Sequence, residues 1–289
     1  MTAVTSETAV SADGTVIAFD RRGAGPALVL VSGAFGVRED PRWRELAEEL
    51  AGRFTVVAYD RRGRGDSGDS GGAGDTGEGG SAARYDVRRE VEDLSAVIAA
   101  VGGTAYLFGI SSGAVLALEA VARGAAVTRL ALYEPPFVVD GSRPPVPADY
   151  LDRLTALLAG GSRGDMVEYF MTAAVGVPAE YLGGMRQDPS WGFMESVAHT
   201  LPYDAAAMGD TMRGRPLPEG RWSPVSVPVL VADGDASFPW IHAAADALAG
   251  VLPGAVRRTL EGQDHGVEAK AVAPVLAEFF GPDGEEEER

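Results

Sequence analysis

A serine hydroxyl becomes a nucleophile only where a base takes its proton and fixed donors hold the oxyanion that its attack creates. Gly109-Ile110-Ser111-Ser112-Gly113 places a serine between two glycines in the pattern G-x-S-x-G. The apolar run Ala105-Tyr106-Leu107-Phe108 precedes it, and Ala114-Val115-Leu116-Ala117-Leu118-Glu119-Ala120, a strong helix former, follows it. Strand, serine, helix is the context of a nucleophile elbow. The glycines suit it, because the backbone of so sharp a turn is crowded and strained. The following helix turns its positive end toward the serine, where an oxyanion would develop. Serine is also a common helix cap, so the partners matter. The chain has three histidines, His199, His242 and His265. His265 lies after the last predicted strand and before the last predicted helix, and is one candidate base. His242, just after Pro239-Trp240, reads as a residue of a helix start, and His199 as packing in a helical segment. None pairs with another at metal-ligand spacing, so no metal is expected. No phosphate-binding loop and no G-x-G-x-x-G after the first strand are present, so no cofactor is expected.

Composition narrows the partners. The chain has 289 residues, 46% of them hydrophobic, enough for one large α/β domain or a core carrying an insertion. A net charge of −17 argues against nucleic acid and anionic membrane surfaces. No cysteine occurs, which excludes disulfides and a thiol nucleophile. The first residues carry no basic segment followed by an apolar one, and no apolar run approaches the ~18 residues of a membrane span. The expectation is a soluble cytoplasmic protein, monomer or homodimer, that acts on a small apolar molecule.

The elements that must position these residues alternate. Thr8 to Ser11 and Val16 to Phe19 flank Asp13-Gly14 and predict a hairpin. Ala27-Leu28-Val29-Leu30-Val31 and Phe54 to Tyr59 are continuous apolar runs, as in strands buried on both faces of a parallel sheet. Helices are predicted near Trp43 to Leu50 and over Val87 to Val101. Gly68 to Ser81 reads as a flexible Gly/Asp/Ser loop. After a strand at Arg129 to Tyr133 the alternation stops, and residues 137–224 read as helical with Pro-rich joints. It resumes with Val227 to Val231, a helix near Ile241 to Leu252, a strand Val256 to Leu260 and a helix Val272 to Phe280. The acidic tail, residues 285–289, reads as disordered. The pattern predicts an α/β fold with a mostly parallel sheet, helices on both faces and an antiparallel edge. Residues 1–136 and 225–284 form the core, and 137–224 a helical cap over the strand C-termini.

At this point the chain resembles the α/β-hydrolase fold family over nearly its whole length, a sheet of eight strands with an inserted cap. Val29-Leu30-Val31-Ser32-Gly33-Ala34-Phe35-Gly36 resembles the family's His-Gly oxyanion loop. Tyr59-Asp60-Arg61-Arg62-Gly63-Arg64-Gly65-Asp66-Ser67 resembles its D-x-R-G-x-G-x-S loop, expected to brace neighbouring loops. Leu260-Glu261-Gly262-Gln263-Asp264-His265-Gly266 resembles its histidine loop. Capped esterase- and perhydrolase-like members look most similar.

The resemblance implies a triad of Ser111, His265 and an acid, with the backbone N–H groups of Ala34 and Ser112 as the oxyanion hole. Ser32 stands where the family usually has histidine, which is expected to weaken that loop's hydrogen bonding. The family's usual acid position, three residues after the glycine ending the seventh strand, falls on Ser237. Three carboxylates remain open: Glu134 at the end of the sixth strand, where dehalogenases of this fold carry theirs, Asp235, and Asp233. Relatives that form alkyl-enzyme esters, the dehalogenases and epoxide hydrolases, have aspartate at the nucleophile position, so Ser111 argues against those reactions. Tyr150, Tyr169, Phe170, Met171, Tyr181, Met185, Trp191, Phe193 and Met194 could line an apolar pocket in the cap. Trp191 and Met194, with Phe35 and Trp240 from the core, are the candidate substrate contacts. The reading is a serine hydrolase that cleaves a medium-sized apolar ester, lactone or thioester through an acyl-enzyme. The alternative, favoured by the displaced acid and by Ser32, is a non-hydrolytic cyclase, lyase or ligand-binding protein on the same fold.

Overall fold

An antiparallel hairpin opens the sheet. In the computed structural model, which describes residues 3–69 and 85–281, β1 (Val4–Val10) pairs with β2 (Val16–Gly23) across the Asp13-Gly14 turn. Asp13 accepts from the Thr15 N–H at 3.0 Å, and Gly14 takes a φ of 88°. β1 reaches back to Val4, beyond its apolar residues, because edge pairing needs only backbone groups. The remaining strands are β3 (Ala27–Val31), β4 (Thr55–Tyr59), β5 (Ala105–Ile110), β6 (Val127–Tyr133), β7 (Val229–Gly234) and β8 (Val256–Leu260). Among the described residues the eight strands form one sheet in the order β1-β2-β4-β3-β5-β6-β7-β8. It is antiparallel at the β1-β2 and β2-β4 pairs and parallel elsewhere. β7 starts two residues later than its apolar run, after Pro228, whose carbonyl still accepts from Leu130 N at 3.0 Å.

Strand periodicity sorts side chains between two cores. In β3, Leu28 and Leu30 point to a core built with α1 (Pro41–Leu50). Val29 and Val31 point to the opposite core, shared with α2 (Arg88–Ala100) and α3 (Ser112–Ala122). A helical excursion joins β6 to β7 through α4 (Tyr150–Ala159), α5 (Arg163–Tyr169), a π-helical segment Phe170–Val175, α6 (Leu182–Met185), α7 (Trp191–Val197) and α8 (Leu201–Met208). α9 (Pro239–Val251) then packs on β7 and α10 (Ala269–Phe280) on α1. No helix among the described residues is long and apolar enough to cross a membrane. The Gly-rich loop expected over 68–81 beyond residue 69, and the tail 285–289, lie outside the described residues.

The glycines flanking Ser111 let α3 lie directly against the sheet. A Cβ on Gly109 would sit 2.6 Å from the Gly113 carbonyl oxygen, and one on Gly113 would run into the carbonyls of Val31 and Ser32. Gly113→Ala should therefore lower stability by about 1–3 kcal/mol, read as a lower thermal midpoint. An unchanged midpoint would contradict this close approach of helix and strand.

Candidate active site

Ser111 sits at the end of β5 with φ 57° and ψ −130°, immediately before α3. Among the described residues only Phe35 (φ 61°), Ser111 and Glu134 (φ 48°) are non-glycine residues with positive φ. Each such conformation costs about 1–3 kcal/mol and persists only where the surroundings impose it. All three line one cavity. The loop after β3 comes close to the serine: a Cβ on Gly33 would meet Ser111 Cβ at 2.9 Å. Ser32 is buried, and its hydroxyl donates to the Gly36 carbonyl at 3.3 Å. The loop is not left weakly held, as the missing histidine predicted. Arg64 donates to the Gly33 carbonyl at 2.6 Å and Arg61 to the Ser32 carbonyl at 3.2 Å. The stretch after β4 thus braces its neighbours, and Ser67 extends the bracing by accepting from Ala18 N at 2.9 Å.

The three candidate carboxylates separate cleanly in space. Glu134 is fully buried at the end of β6, with Oε2 2.7 Å from His265 Nδ1. Its Oε1 accepts from the Gly234 N–H at 2.9 Å and from the Ser237 hydroxyl at 2.5 Å. The residue at the family's usual acid position therefore holds the carboxylate that faces the histidine. Pro135 follows Glu134, and the residue before a proline ordinarily takes an extended conformation, so its positive φ is imposed by these partners. Asp235 is not brought to the histidine: it is exposed, and its Oδ1 accepts from Gly262 N at 2.6 Å. Asp233 belongs to a different cluster. It lies 2.6 Å from His242 Nδ1, and Arg257 donates to it at 2.5 and 2.8 Å. The loop bearing His265 is anchored by the Tyr133 hydroxyl, which donates to the Asp264 carbonyl at 2.7 Å. A histidine that donates from Nδ1 to a carboxylate keeps its lone pair on Nε2, the tautomer a general base needs.

A buried charge cluster lies beside the elbow. Asp204, on α8, accepts from Arg61, Arg64 and the Ser112 hydroxyl, each at 2.7 Å. Arg61 is also held by both oxygens of Glu90 at 2.6 and 2.7 Å. Burial pushes the Asp204 carboxyl up, but the two guanidiniums and the Ser112 hydroxyl outweigh it and hold it below the usual carboxylate range. Sequence reading missed Asp204, because one aspartate in a helical stretch carries no local signal. The adjacent Arg61 and Arg64, which need buried counter-charges, were the available hint.

The cavity measures about 690 Å³ and is mostly apolar. Ser111, Glu134, His265, Ala34 and Ser112 line it, with Phe35 and Trp240 from the core and Tyr150, Phe170, Met171, Met208 and Met212 from the excursion. Trp43, Leu46, Phe108 and Val272 extend its wall to the core built with α1. Phe35 and Phe170 meet edge to face at 5.1 Å. Arg143 lies 4.7 Å over the Trp240 ring and donates to the Ala173 and Ala174 carbonyls at the end of the π-helical segment. Two expected contacts are corrected: Trp191 and Met194 do not line the cavity. The Trp191 indole donates to Glu195 at 2.9 Å and its ring takes Arg186, so it is consumed within the excursion. His199 and His242 also lie outside the cavity wall. Among the described residues no group of three His, Asp or Glu side chains could hold a metal ion.

The chain belongs to the alpha/beta hydrolase family, whose model matches residues 28–277. It is similar to an uncharacterized hydrolase, YraK, of Bacillus subtilis (strain 168), 34% identical over 107 residues. That match covers 37% of this chain and 35% of the relative, so about a third of each protein. The structure resembles that of an alpha/beta hydrolase from Sphaerobacter thermophilus DSM 20745, with a TM-score of 0.83 and 54% identity over 95% of this chain and 100% of that one. It also resembles an enol-lactonase from Burkholderia xenovorans LB400, with a TM-score of 0.65 and 20% identity over 94% and 99% of the two chains. The last likeness shows the fold alone.

Two predictions follow from the separated carboxylates. Glu134→Gln should lower kcat toward an activated ester by about 10²–10⁴-fold, whereas Asp235→Asn should leave it within about twofold. Equal losses in the two variants would contradict this geometry. Burial pushes the Asp233 carboxyl up, but its bonds to Arg257, His242 and Thr259 outweigh it and lower it from 3.8. A carboxylate whose folded value is depressed stabilises the fold fully above its unfolded value and loses that contribution as pH falls through the folded value. The wild type should thus exceed Asp233→Asn in thermal midpoint at pH 7, with the gap shrinking below about pH 3.8. A gap that is constant with pH would contradict the pairing.

Proposed function

We propose that this protein is a serine hydrolase that cleaves a medium-sized apolar ester, lactone or thioester through an acyl-enzyme. The observation that carries the reading is the 2.7 Å contact between Glu134 and His265 in the cavity lined by the strained Ser111. Ser111 attacks the carbonyl carbon as His265 takes its proton. The Ala34 and Ser112 N–H groups hold the oxyanion, and the leaving group departs with the proton returned by His265. Water, activated by the same histidine, then releases the acid. Glu134 fixes the imidazole tautomer and stabilises its charged form. Glu134 supplies the acid whose displacement favoured a cyclase, lyase or binding protein, so that alternative loses its main support. The helical excursion acts as a cap, and its aromatic and methionine side chains supply the apolar wall that selects substrate. The hydrolase relatives support the reaction class, and the size and lining of the cavity support the choice of substrate.

Intact mass after treatment with an alkyl fluorophosphonate tests the mechanism. One adduct is expected on the wild type and none on Ser111→Ala. An unlabelled wild type, with the protein folded, would overturn the acyl-enzyme. A series of p-nitrophenyl esters tests the substrate class: kcat/KM should rise from acetate to butyrate and hexanoate, and a maximum at acetate would contradict it.

A further inference from the structure

The oxyanion donors assigned above are backbone groups, so their aim depends on whatever holds their peptide planes. The carbonyl of Gly33 and the N–H of Ala34 belong to one planar trans peptide and point in opposite directions. Arg64 holds that carbonyl at 2.6 Å, much closer than the Gly36 N–H at 3.3 Å, so it is the main group setting the direction of the Ala34 N–H. A charged donor on the carbonyl also polarises the peptide and strengthens its N–H. Arg61 holds the preceding Ser32 carbonyl in the same way at 3.2 Å. The second donor, Ser112 N–H, begins α3, and its own side chain is tied to Asp204 at 2.7 Å. Both arms end on one carboxylate, because Arg64 and the Ser112 hydroxyl each meet Asp204 at 2.7 Å, and Arg61 joins them there at 2.7 Å.

We propose that Asp204 is a positioning residue that aims both halves of the oxyanion hole, the Ala34 N–H through Arg64 and the Ser112 N–H through the Ser112 hydroxyl. It sits on α8 of the helical excursion, so the competence of the hole depends on the seating of the excursion on the core. This arrangement needs its own explanation. Asp204, Glu90, Arg61 and Arg64 are all buried, and burying an ion cluster is seldom repaid in stability compared with apolar packing. Thr200 adds a second tie from the excursion, accepting from Arg64 at 3.0 Å. The inference rests on the serine-hydrolase reading.

The test compares the wild type, Asp204→Asn, Ser112→Ala and the double variant, each shown folded by circular dichroism. The readouts are kcat and KM for p-nitrophenyl butyrate and the rate of phosphonylation by an alkyl fluorophosphonate. Asp204→Asn should lower kcat and phosphonylation about 10- to 100-fold with KM changed less than about threefold, short of the full loss of a donor. Ser112→Ala keeps its N–H and should lose less, and the double variant should lose less than the product of the two, because one arm is shared. A folded Asp204→Asn with wild-type kcat, or with a loss confined to KM, overturns the proposal. If Asp204→Asn does not fold, Arg64→Lys carries the test. It keeps the charge but cannot reach both Gly33 and Asp204 as the fork does, and its kcat should fall with KM unchanged. Wild-type kcat in that variant overturns the proposal. A wild type that is never phosphonylated at Ser111 defeats the underlying reading instead.

Discussion

A carboxyl group cut off from water at the end of β6 must find donors within the protein. Glu134 finds three: the Gly234 N–H, the Ser237 hydroxyl and His265. They come from the end of β7, the β7–α9 loop and the β8–α10 loop, so satisfying one side chain draws the C-terminal ends of neighbouring strands together. The same strand end carries Tyr133, which fixes the histidine loop through Asp264. On the neighbouring strand, the elbow at the end of β5 brings Ser111 into the same cavity, its N–H donating to the Tyr133 carbonyl at 3.0 Å.

Backbone strain concentrates around that cavity, and one buried ion cluster lies beside it. The described non-glycine residues with positive φ are Phe35 from the loop after β3, Ser111 at the elbow and Glu134 at the end of β6. Close packing of α3 on β3 and β5 leaves the elbow no room to relax, which is why glycine is needed at 109 and 113. The ion cluster of Arg61, Arg64, Glu90 and Asp204 takes over the structural work expected of a histidine at position 32. Two guanidiniums reach the loop carbonyls from below, and a small buried serine suffices at the position itself. The loop is thus rebuilt with partners from the β4 side and from the helical excursion.

Much of the fold was legible, because continuous apolar strands and glycine-flanked turns are local signals. The strand–helix alternation, the hairpin edge and the break into helices after β6 all follow from short-range patterns. Ser111 and His265 were legible for the same reason, each in a strand–turn–helix setting. The facing carboxylate was not decidable from spacing. Asp233 at the end of β7 and Asp235 just after it lie beside Ser237, the usual acid position, while Glu134 lies about a hundred residues earlier and meets it only through the β6–β7 pairing. Trp191 and Met194 misled because an aromatic or methionine in a helical stretch looks the same whether it faces a cavity or a neighbouring helix. Asp204 was invisible because its meaning lies in three partners from two other segments.

Acyl transfer here requires Ser111, His265, Glu134 and two backbone donors to converge on one reacting carbonyl. A crystal structure of the phosphonylated protein examines that convergence directly. The expected result is phosphorus bonded to Ser111 Oγ, a phosphonyl oxygen about 2.7–3.1 Å from both Ala34 N and Ser112 N, and Glu134 still on His265 Nδ1. A phosphonyl oxygen directed away from both amides, or a histidine turned from Glu134 to another carboxylate, would contradict it.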